Sequence, residues 1–218
     1  MSATAEVTLE DPLLDVTLTV VTMVIGYFLG TIPSGYLVAK LHGVNIQQVG
    51  SGNIGATNVL RALGVVPAVI VVILDPLKGA LATLLPMLLG VGPWGVALTG
   101  LAVVLGNNFN VLLGLRGGKG IATSIGVFLV VSPLVSLFCI LLGVFTILVS
   151  RYVSLGSMVG MVALPLFLIV SGAPTAYLLL GLVLAALAVL RHRTNIQRML
   201  AGTESRLGQK VEVERRPR

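Results

Sequence analysis

Long apolar runs, broken by short segments carrying glycine, proline or charge, dominate the chain. Seven runs stand out, at residues 16–41, 65–89, 94–115, 120–131, 134–150, 153–170 and 175–190. Most have the roughly 17–25 residues that a helix needs to cross a bilayer. Gly92-Pro93, Ser132-Pro133 and Gly172-Ala173-Pro174 are uncharged turn signals between runs. The other connections hold Lys40, Arg61, Arg116, Lys119, Arg151, Arg191 and Arg193. Neutral and basic connections therefore alternate, as the positive-inside rule requires, with the acidic N-terminus outside and the basic C-terminus in the cytoplasm. The run at 120–131 is short. Fused with the next run it would be a helix of about 46 Å, at 1.5 Å per residue, with a proline near its middle. It would also move Arg191, Arg193 and Arg198 outside. A separate short fourth helix is the better reading. The pattern predicts an all-α polytopic integral membrane protein with seven transmembrane helices.

Composition agrees. Of 218 residues, 56% are hydrophobic and 10% charged, against about 25% charged in soluble domains. So few charges exclude a soluble enzyme and a disordered chain. Fourteen basic and eight acidic residues give a net charge of +6. In a soluble protein that excess would suggest nucleic acid. Placed between apolar runs, it points instead to anionic lipid headgroups, anionic substrates or the orientation signal itself. The lone Cys139 can form neither an intramolecular disulfide nor a zinc cluster. Residues 1–15 contain Glu6, Glu10, Asp11 and Asp15 and no basic residue, unlike a signal peptide. They read as an acidic tail before one membrane domain at 16–208, with a charged tail at 209–218. Gly26-x-x-x-Gly30 and Gly156-x-x-x-Gly160 read as close helix packing.

Four polar stretches carry candidate chemistry. The first runs from Gly50-Ser51-Gly52-Asn53 through Gly55, Thr57 and Asn58 to Arg61. Its glycines fit a dinucleotide fingerprint by spacing alone, but the βαβ context is missing. What remains is a loop rich in exposed N–H groups, followed by a helix start and an arginine: either a phosphate cradle or an ordinary turn. The second, Arg116-Gly117-Gly118-Lys119-Gly120, is not a Walker A loop, because Gly120 stands where Ser or Thr would hold magnesium. It reads equally as a phosphate cradle or a membrane anchor. The third is the pair Asp75 and Lys78, three residues apart on one helix face. It is either self-neutralising or in contact with substrate. The fourth, Arg191 to Arg198, holds His192, Arg193 and Asn195. It reads as a lipid anchor, or as a phosphate donor set with His192 as a base. No metal-ligand cluster and no His-x4-Asp acyltransferase motif is present in the sequence.

Taken in order, these motifs resemble the bacterial acyl-phosphate:glycerol-3-phosphate acyltransferases. The likeness covers roughly 27–208. It rests on Gly30-Thr31-Ile32-Pro33, the Gly50–Arg61 loop, Asp75 to Gly79, Gly117 to Thr123, Arg151 to Ser157, and His192 to Ile196. It implies transfer of an acyl group from acyl phosphate to the 1-hydroxyl of sn-glycerol 3-phosphate, at the cytoplasmic face of the bacterial plasma membrane. No cofactor or metal is implied. The implied partners are the two substrates, membrane lipids and a soluble upstream enzyme that supplies acyl phosphate. Matched position by position, the family's functional residues fall on Ser51, Arg61, Lys119, Ser157, His192 and Asn195. Gly50, Gly52, Asn53, Thr57, Asn58, Arg116, Gly117, Gly118, Gly120 and Arg193 are the expected substrate contacts around them. An acyl phosphate already carries a good leaving group, so the protein need only gather two phosphorylated molecules and neutralise them.

The chain departs from the family pattern at several positions. Asn107 stands where the family often has histidine, Thr31 where serine is usual, Asn45 and Gln47 where Asp and Arg are usual, and Arg116 where lysine is common. The alternatives are a small-anion transporter and an inactive paralogue of the acyltransferase.

Overall fold

The structure, a computed structural model, describes residues 11–211. All its regular elements are helical. They are α1 (Pro12–Gly30), α2 (Ser34–Leu41), α3 (Ala56–Leu63), α4 (Val65–Leu88), α5 (Pro93–Asn108), α6 (Ile121–Val131), α7 (Pro133–Ser150), α8 (Val153–Val170), α9 (Thr175–Arg191) and α10 (Arg193–Leu200). Five stretches are long and apolar enough to cross a bilayer: Pro12–Leu41, Val65–Leu88, Pro93–Leu113, Pro133–Ser150 and Val153–Val170. α9 reaches the same standard only together with α10, from which it bends by 52°. α6 is a shorter apolar helix of 11 residues. The chain is thus an all-α polytopic membrane protein.

The helices differ from the apolar runs at three places. The run at 16–41 is two helices. Pro33 has no N–H to continue the ladder, and the backbone turns at Thr31-Ile32-Pro33. Side chains from elsewhere take up the freed carbonyls. Asn110 Nδ2 donates to Thr31 O at 2.7 Å, and Lys78 Nζ donates to Ile32 O at 3.0 Å. Irregular backbone in an apolar setting requires such partners. Second, the run at 94–115 leaves the α-helix at Asn108 and ends in a 3-10 turn, Val111–Leu113. Third, α1 starts four residues before the first apolar run. Asp11 accepts from Leu13 N at 2.9 Å and Leu14 N at 3.4 Å, with Pro12 in the first helical position. Residues 12–15 therefore belong to the helix rather than to an acidic tail. Glu6 and Glu10 lie outside the described residues, as does the C-terminal tail beyond 211.

Backbone contact at glycine holds the bundle together. α5 is central and packs against α1, α4, α6 and α9. A Cβ on Gly30 would strike the Val103 carbonyl across the α1–α5 contact, and one on Gly106 would strike Tyr27 O from the other side. Gly79 and Gly126 do the same for α4 and α6, while Gly143, Gly156 and Gly160 do it for α7 and α8. Without a side chain, helix backbones approach closely enough for dispersion to replace the hydrophobic effect that lipid cannot supply. Thr22 and Thr99 share a buried hydrogen bond at 2.9 Å across α1 and α5.

One charged group sits deep in this packing. Lys78 is 4% exposed. Its ammonium meets Asp75 Oδ1 at 2.8 Å and donates to Asn107 Oδ1 at 2.8 Å, in addition to Ile32 O. The pair expected from the i,i+3 spacing is present, and it is tied to the α1–α2 break and to α5. Asn107 accepts from this lysine, so its amide serves as a strut. Lys78→Met should cost about 3 kcal/mol or more, because it leaves Asp75 charged and unpaired. Thermal unfolding in detergent measures this. The double variant Asp75→Asn/Lys78→Met should recover part of the loss.

Candidate active site

The first, second and fourth polar stretches are joined at one end of the bundle. The start of α4, the end of α5, the start of α6, the start of α8 and the end of α9 all border them.

The first loop is built around Asn58. From the first turn of α3 its amide donates to Val49 O and Asn53 O, both at 2.9 Å, and to Ile46 O at 3.3 Å. Its Oδ1 accepts from Ser51 N at 3.1 Å. One buried side chain thus fixes the loop that presents Ser51. Gly50 and Gly52 have φ of +58° and +69°, the left-handed region where glycine carries no Cβ penalty. Ser51 is exposed, Asn53 and Thr57 are half-buried, and Ser51 Oγ accepts from Asn53 N at 3.5 Å. Gln47 Nε2 donates to Arg116 O at 3.1 Å and so joins this loop to the second.

The second loop is held from below. Gly118 N donates to Asn107 O at 2.9 Å. Arg191 Nη2 reaches Gly118 O at 2.9 Å, Asn108 O at 3.2 Å and Gly117 O at 3.4 Å. A Cβ on Gly117 would collide with the Asn107 and Asn108 carbonyls, so close anchoring depends on glycine here. Gly120, at φ +82°, turns the chain into α6. Arg116 is exposed, and Lys119 is left pointing across the site.

Lys119 Nζ donates to Asn195 Oδ1 on α10. Asn195 Nδ2 donates to Glu204 Oε1 at 2.6 Å, and Ser154 Oγ donates to the same oxygen at 2.8 Å. Arg198 Nε donates to Glu204 Oε2 at 2.7 Å. Arg61 Nη2 donates to Ser205 O at 3.0 Å, and Val211 N returns a bond to Arg61 O at 3.2 Å. Residues from four distant stretches therefore meet: Arg61, Lys119, the pair His192 and Asn195, and Glu204. Ser157 lies one turn beyond Ser154 on α8 and is half-buried. Arg193 is exposed on α10.

The electrostatics follow from this crowding. Burial pushes the Lys119 ammonium down to about 8, helped by Arg198, Arg191 and Arg61 and opposed by Glu204. Burial also lowers the Arg61 pKa. His192 is buried and its pKa falls to about 4, through burial first and the Lys119 charge second. Its Nδ1 lies 2.8 Å from Ala188 O, which a protonated Nδ1 satisfies, leaving Nε2 as acceptor in the neutral ring. For Glu204, burial raises the pKa, but hydrogen bonds from Asn195, Ser154 and Arg198 outweigh it and hold the carboxyl below its usual range.

Four of these residues were not among those singled out from the sequence as site residues: Glu204, Arg198, Ser154 and Arg191. Glu204 had a signal. It is the only acidic residue between Asp75 and Glu212, in a chain with fourteen basic ones. An apolar groove of about 410 Å³ runs between α1–α2 and α4, past Leu29, Leu37, Leu41, Leu74 and Leu81 to His42.

Fold and site define a membrane protein whose cations and glycine-loop amides are gathered to receive anionic groups. The chain belongs to the glycerol-3-phosphate acyltransferase family, whose profile matches residues 20–202. A glycerol-3-phosphate acyltransferase of Thermoanaerobacter sp. (strain X514) is 47% identical over 195 residues, 89% of this chain and 98% of that one. One from Thermus thermophilus is 44% identical over 192 residues, 88% of this chain and 96% of that one. Two crystal structures of PlsY, an integral membrane glycerol 3-phosphate acyltransferase, are similar. The glycerol 3-phosphate form has a TM-score of 0.84 at 45% identity, over 87% of this chain and 96% of that one. The lysophosphatidic acid form has 0.82 at 44%, over 88% and 96%.

Proposed function

We propose that this protein transfers a fatty acyl group from acyl phosphate to the 1-hydroxyl of sn-glycerol 3-phosphate. The products are 1-acyl-sn-glycerol 3-phosphate and inorganic phosphate. The observation that carries the reading is the meeting of Arg61, Lys119, His192 and Asn195 at one end of the bundle. The glycerol 3-phosphate and lysophosphatidic acid forms of the related PlsY supply the substrate class.

In this reading Arg61 and Lys119 hold the phosphates, with Arg116 and the Gly50–Asn53 and Gly117–Gly120 amides around them. Ser51, Ser157 and Asn195 orient the reacting groups. The glycerol oxygen attacks the acyl carbonyl carbon, a new ester C–O bond forms, and the carbonyl C–O bond to phosphate breaks. A histidine whose conjugate acid has a pKa near 4 is a weak base at neutral pH. His192 therefore orients through Nε2, and a substrate phosphate oxygen takes the hydroxyl proton. The groove beside α2 suits the alkyl chain, which keeps the donor in the bilayer while its phosphate meets the loops.

The seven runs make seven crossings, with the N-terminus outside and the site on the cytoplasmic side, where a soluble enzyme supplies acyl phosphate. α6 is the short crossing. The alternating basic connections support this orientation.

The test offers acyl phosphate, acyl-CoA and acyl carrier protein in parallel to purified protein with glycerol 3-phosphate. Lysophosphatidic acid and phosphate should form with acyl phosphate. Their absence from a folded preparation would reject the reading. The pH profile adds a second check. Lys119 must stay protonated, so kcat/KM should fall as pH rises through about 8. His192 is neutral throughout the range above about 4 and contributes no acid limb near neutrality.

A further inference from the structure

We propose that Lys78 is a positioning residue for acyl transfer: with Asn107 it joins the wall of the apolar groove to the seat of the Gly117–Gly120 loop, so that a long alkyl chain in the groove holds its acyl phosphate in register with Lys119. The inference rests on the acyltransferase reading and gives a task to the Asp75–Lys78 pair, which that reading leaves unused.

A buried pair that only neutralised itself would need one contact. Lys78 makes three. An ammonium has three protons to give, and here they go to Asp75 Oδ1 at 2.8 Å, Asn107 Oδ1 at 2.8 Å and Ile32 O at 3.0 Å. None remains for a substrate phosphate, so direct substrate contact by this lysine falls away. The three bonds reach from one seat of the donor to the other. Ile32 and Lys78 both line the groove, with Ser34, Leu37 and Leu74. Asn107 lies in the last turn of α5 and carries the second loop. Gly118 N donates to Asn107 O at 2.9 Å, and a Cβ on Gly118 would come within 2.8 Å of Asn107 Nδ2. Gly118 therefore rests on both the carbonyl and the amide of Asn107. Two hydrogen bonds, Lys78 to Asn107 and Gly118 to Asn107, span the distance from the groove wall to the residue before Lys119.

This path is stiff. Lys78 and Asn107 are both buried, and a charge-assisted bond away from water is a strong one. The ammonium also fixes the amide. Oδ1 must face Lys78, which turns Nδ2 toward Asn108 Oδ1 at 3.3 Å. Arg191 grips the Asn108, Gly117 and Gly118 carbonyls from α9. Rigidity matters for a donor held at two places. The alkyl chain is remote from the bond that breaks, and its binding speeds the reaction only when it helps to place the acyl carbon. A firm join between groove and loop does so. A slack join lets the chain bind without placing the phosphate.

The test uses the full-length protein in detergent with glycerol 3-phosphate and two donors, palmitoyl phosphate and butyryl phosphate. Glycerol-3-phosphate-dependent phosphate release is the readout. Butyryl phosphate reaches the loops but is too short to fill the groove. Asn107→Leu keeps the size of the side chain and removes the acceptor, while Asp75 and Ile32 O still hold Lys78. Its kcat/KM should fall about 100-fold with palmitoyl phosphate, the scale of a misplaced reacting group, and less than about tenfold with butyryl phosphate. The larger loss should lie in kcat, with KM for palmitoyl phosphate changing little, because the groove itself is intact. Partitioning of the long donor into the micelle is common to wild type and variants and cancels between them. Asn107→His is the conservative change. Nδ1 of a neutral imidazole stands as many bonds from the backbone as the amide Oδ1 and can accept from Lys78, so the preference for the long donor should be kept. Folded Asn107→Leu that loses the same factor with both donors has a purely structural defect and overturns the proposal. So does folded Asn107→Leu with wild-type rates, or folded Asn107→His without the preference. If Asn107→Leu does not fold, Asp75→Asn/Lys78→Met removes the same join from the other side, and an unchanged preference there overturns the proposal. Wild-type protein that transfers from neither donor rejects the acyltransferase reading itself. Wild-type protein that uses both donors equally well rejects the groove as the seat of the chain, and this proposal with it.

Discussion

Lys119→Ala should abolish acyl transfer, with kcat/KM falling by at least about 10³-fold, while the protein keeps its melting temperature to within a few degrees. Loss of one preorganised donor to a developing oxyanion costs about 10²–10³, and Lys119 carries a full charge as well. The Gly117–Gly120 loop does not depend on this side chain. Gly118 N on Asn107 O and Arg191 on three carbonyls hold it in place. Removing the ammonium should even relieve repulsion from Arg61, Arg191 and Arg198. Product formation measured beside thermal unfolding checks both halves. Residual activity above a few per cent would move the main phosphate contact to Arg61.

Gly126→Leu should disrupt the packing of α4 against α6 and lower folding stability. A Cβ on Gly126 would fall on the Pro76 carbonyl, which is backbone of α4 rather than a side chain that can turn aside. α4 and α6 would have to separate, and Gly79 against Thr123 O would lose its fit in the same step. Overpacking of this kind costs about 1–3 kcal/mol, occasionally more. At the top of that range the melting temperature drops by about 10 °C for a chain of this size. Lower folded yield and a lower unfolding temperature are the expected results. Gly172→Ala makes a useful control, because a Cβ there meets nothing within 4 Å, leaving only the cost of φ +66°.

The bundle was legible because apolar runs of spanning length are a strong signal. The glycine spacings at 26–30 and 156–160 also pointed to contacts that exist, with Gly30 on α5, and Gly156 and Gly160 on α7. The short elements were not legible. α3 and α10 have eight residues each and carry polar side chains, so no search for apolar runs finds them. The α1–α2 break lies inside continuous hydropathy, and only Pro33 marks it. In the site, the loops that carry Ser51, Arg61, Lys119, His192 and Asn195 were readable as motifs. Which atoms they present to one another was not. Asn58 had the composition of a ligand contact, and its amide binds its own loop on both sides. Glu204 lies in no motif, because its role arises from three partners brought in by α8 and α10.

The bonds that close the site also order its assembly in time. Lys119 and Arg61 are synthesised and inserted well before Asn195, Arg198 and Glu204 leave the ribosome. Until the final helix has docked, a partly made chain exposes clustered positive charge with no internal counter-ion, close to anionic headgroups. Biogenesis of the enzyme therefore passes through a stage in which Arg61 and Lys119 lack the carboxylate that later faces them. Catalytic competence must arrive abruptly, with the last few dozen residues.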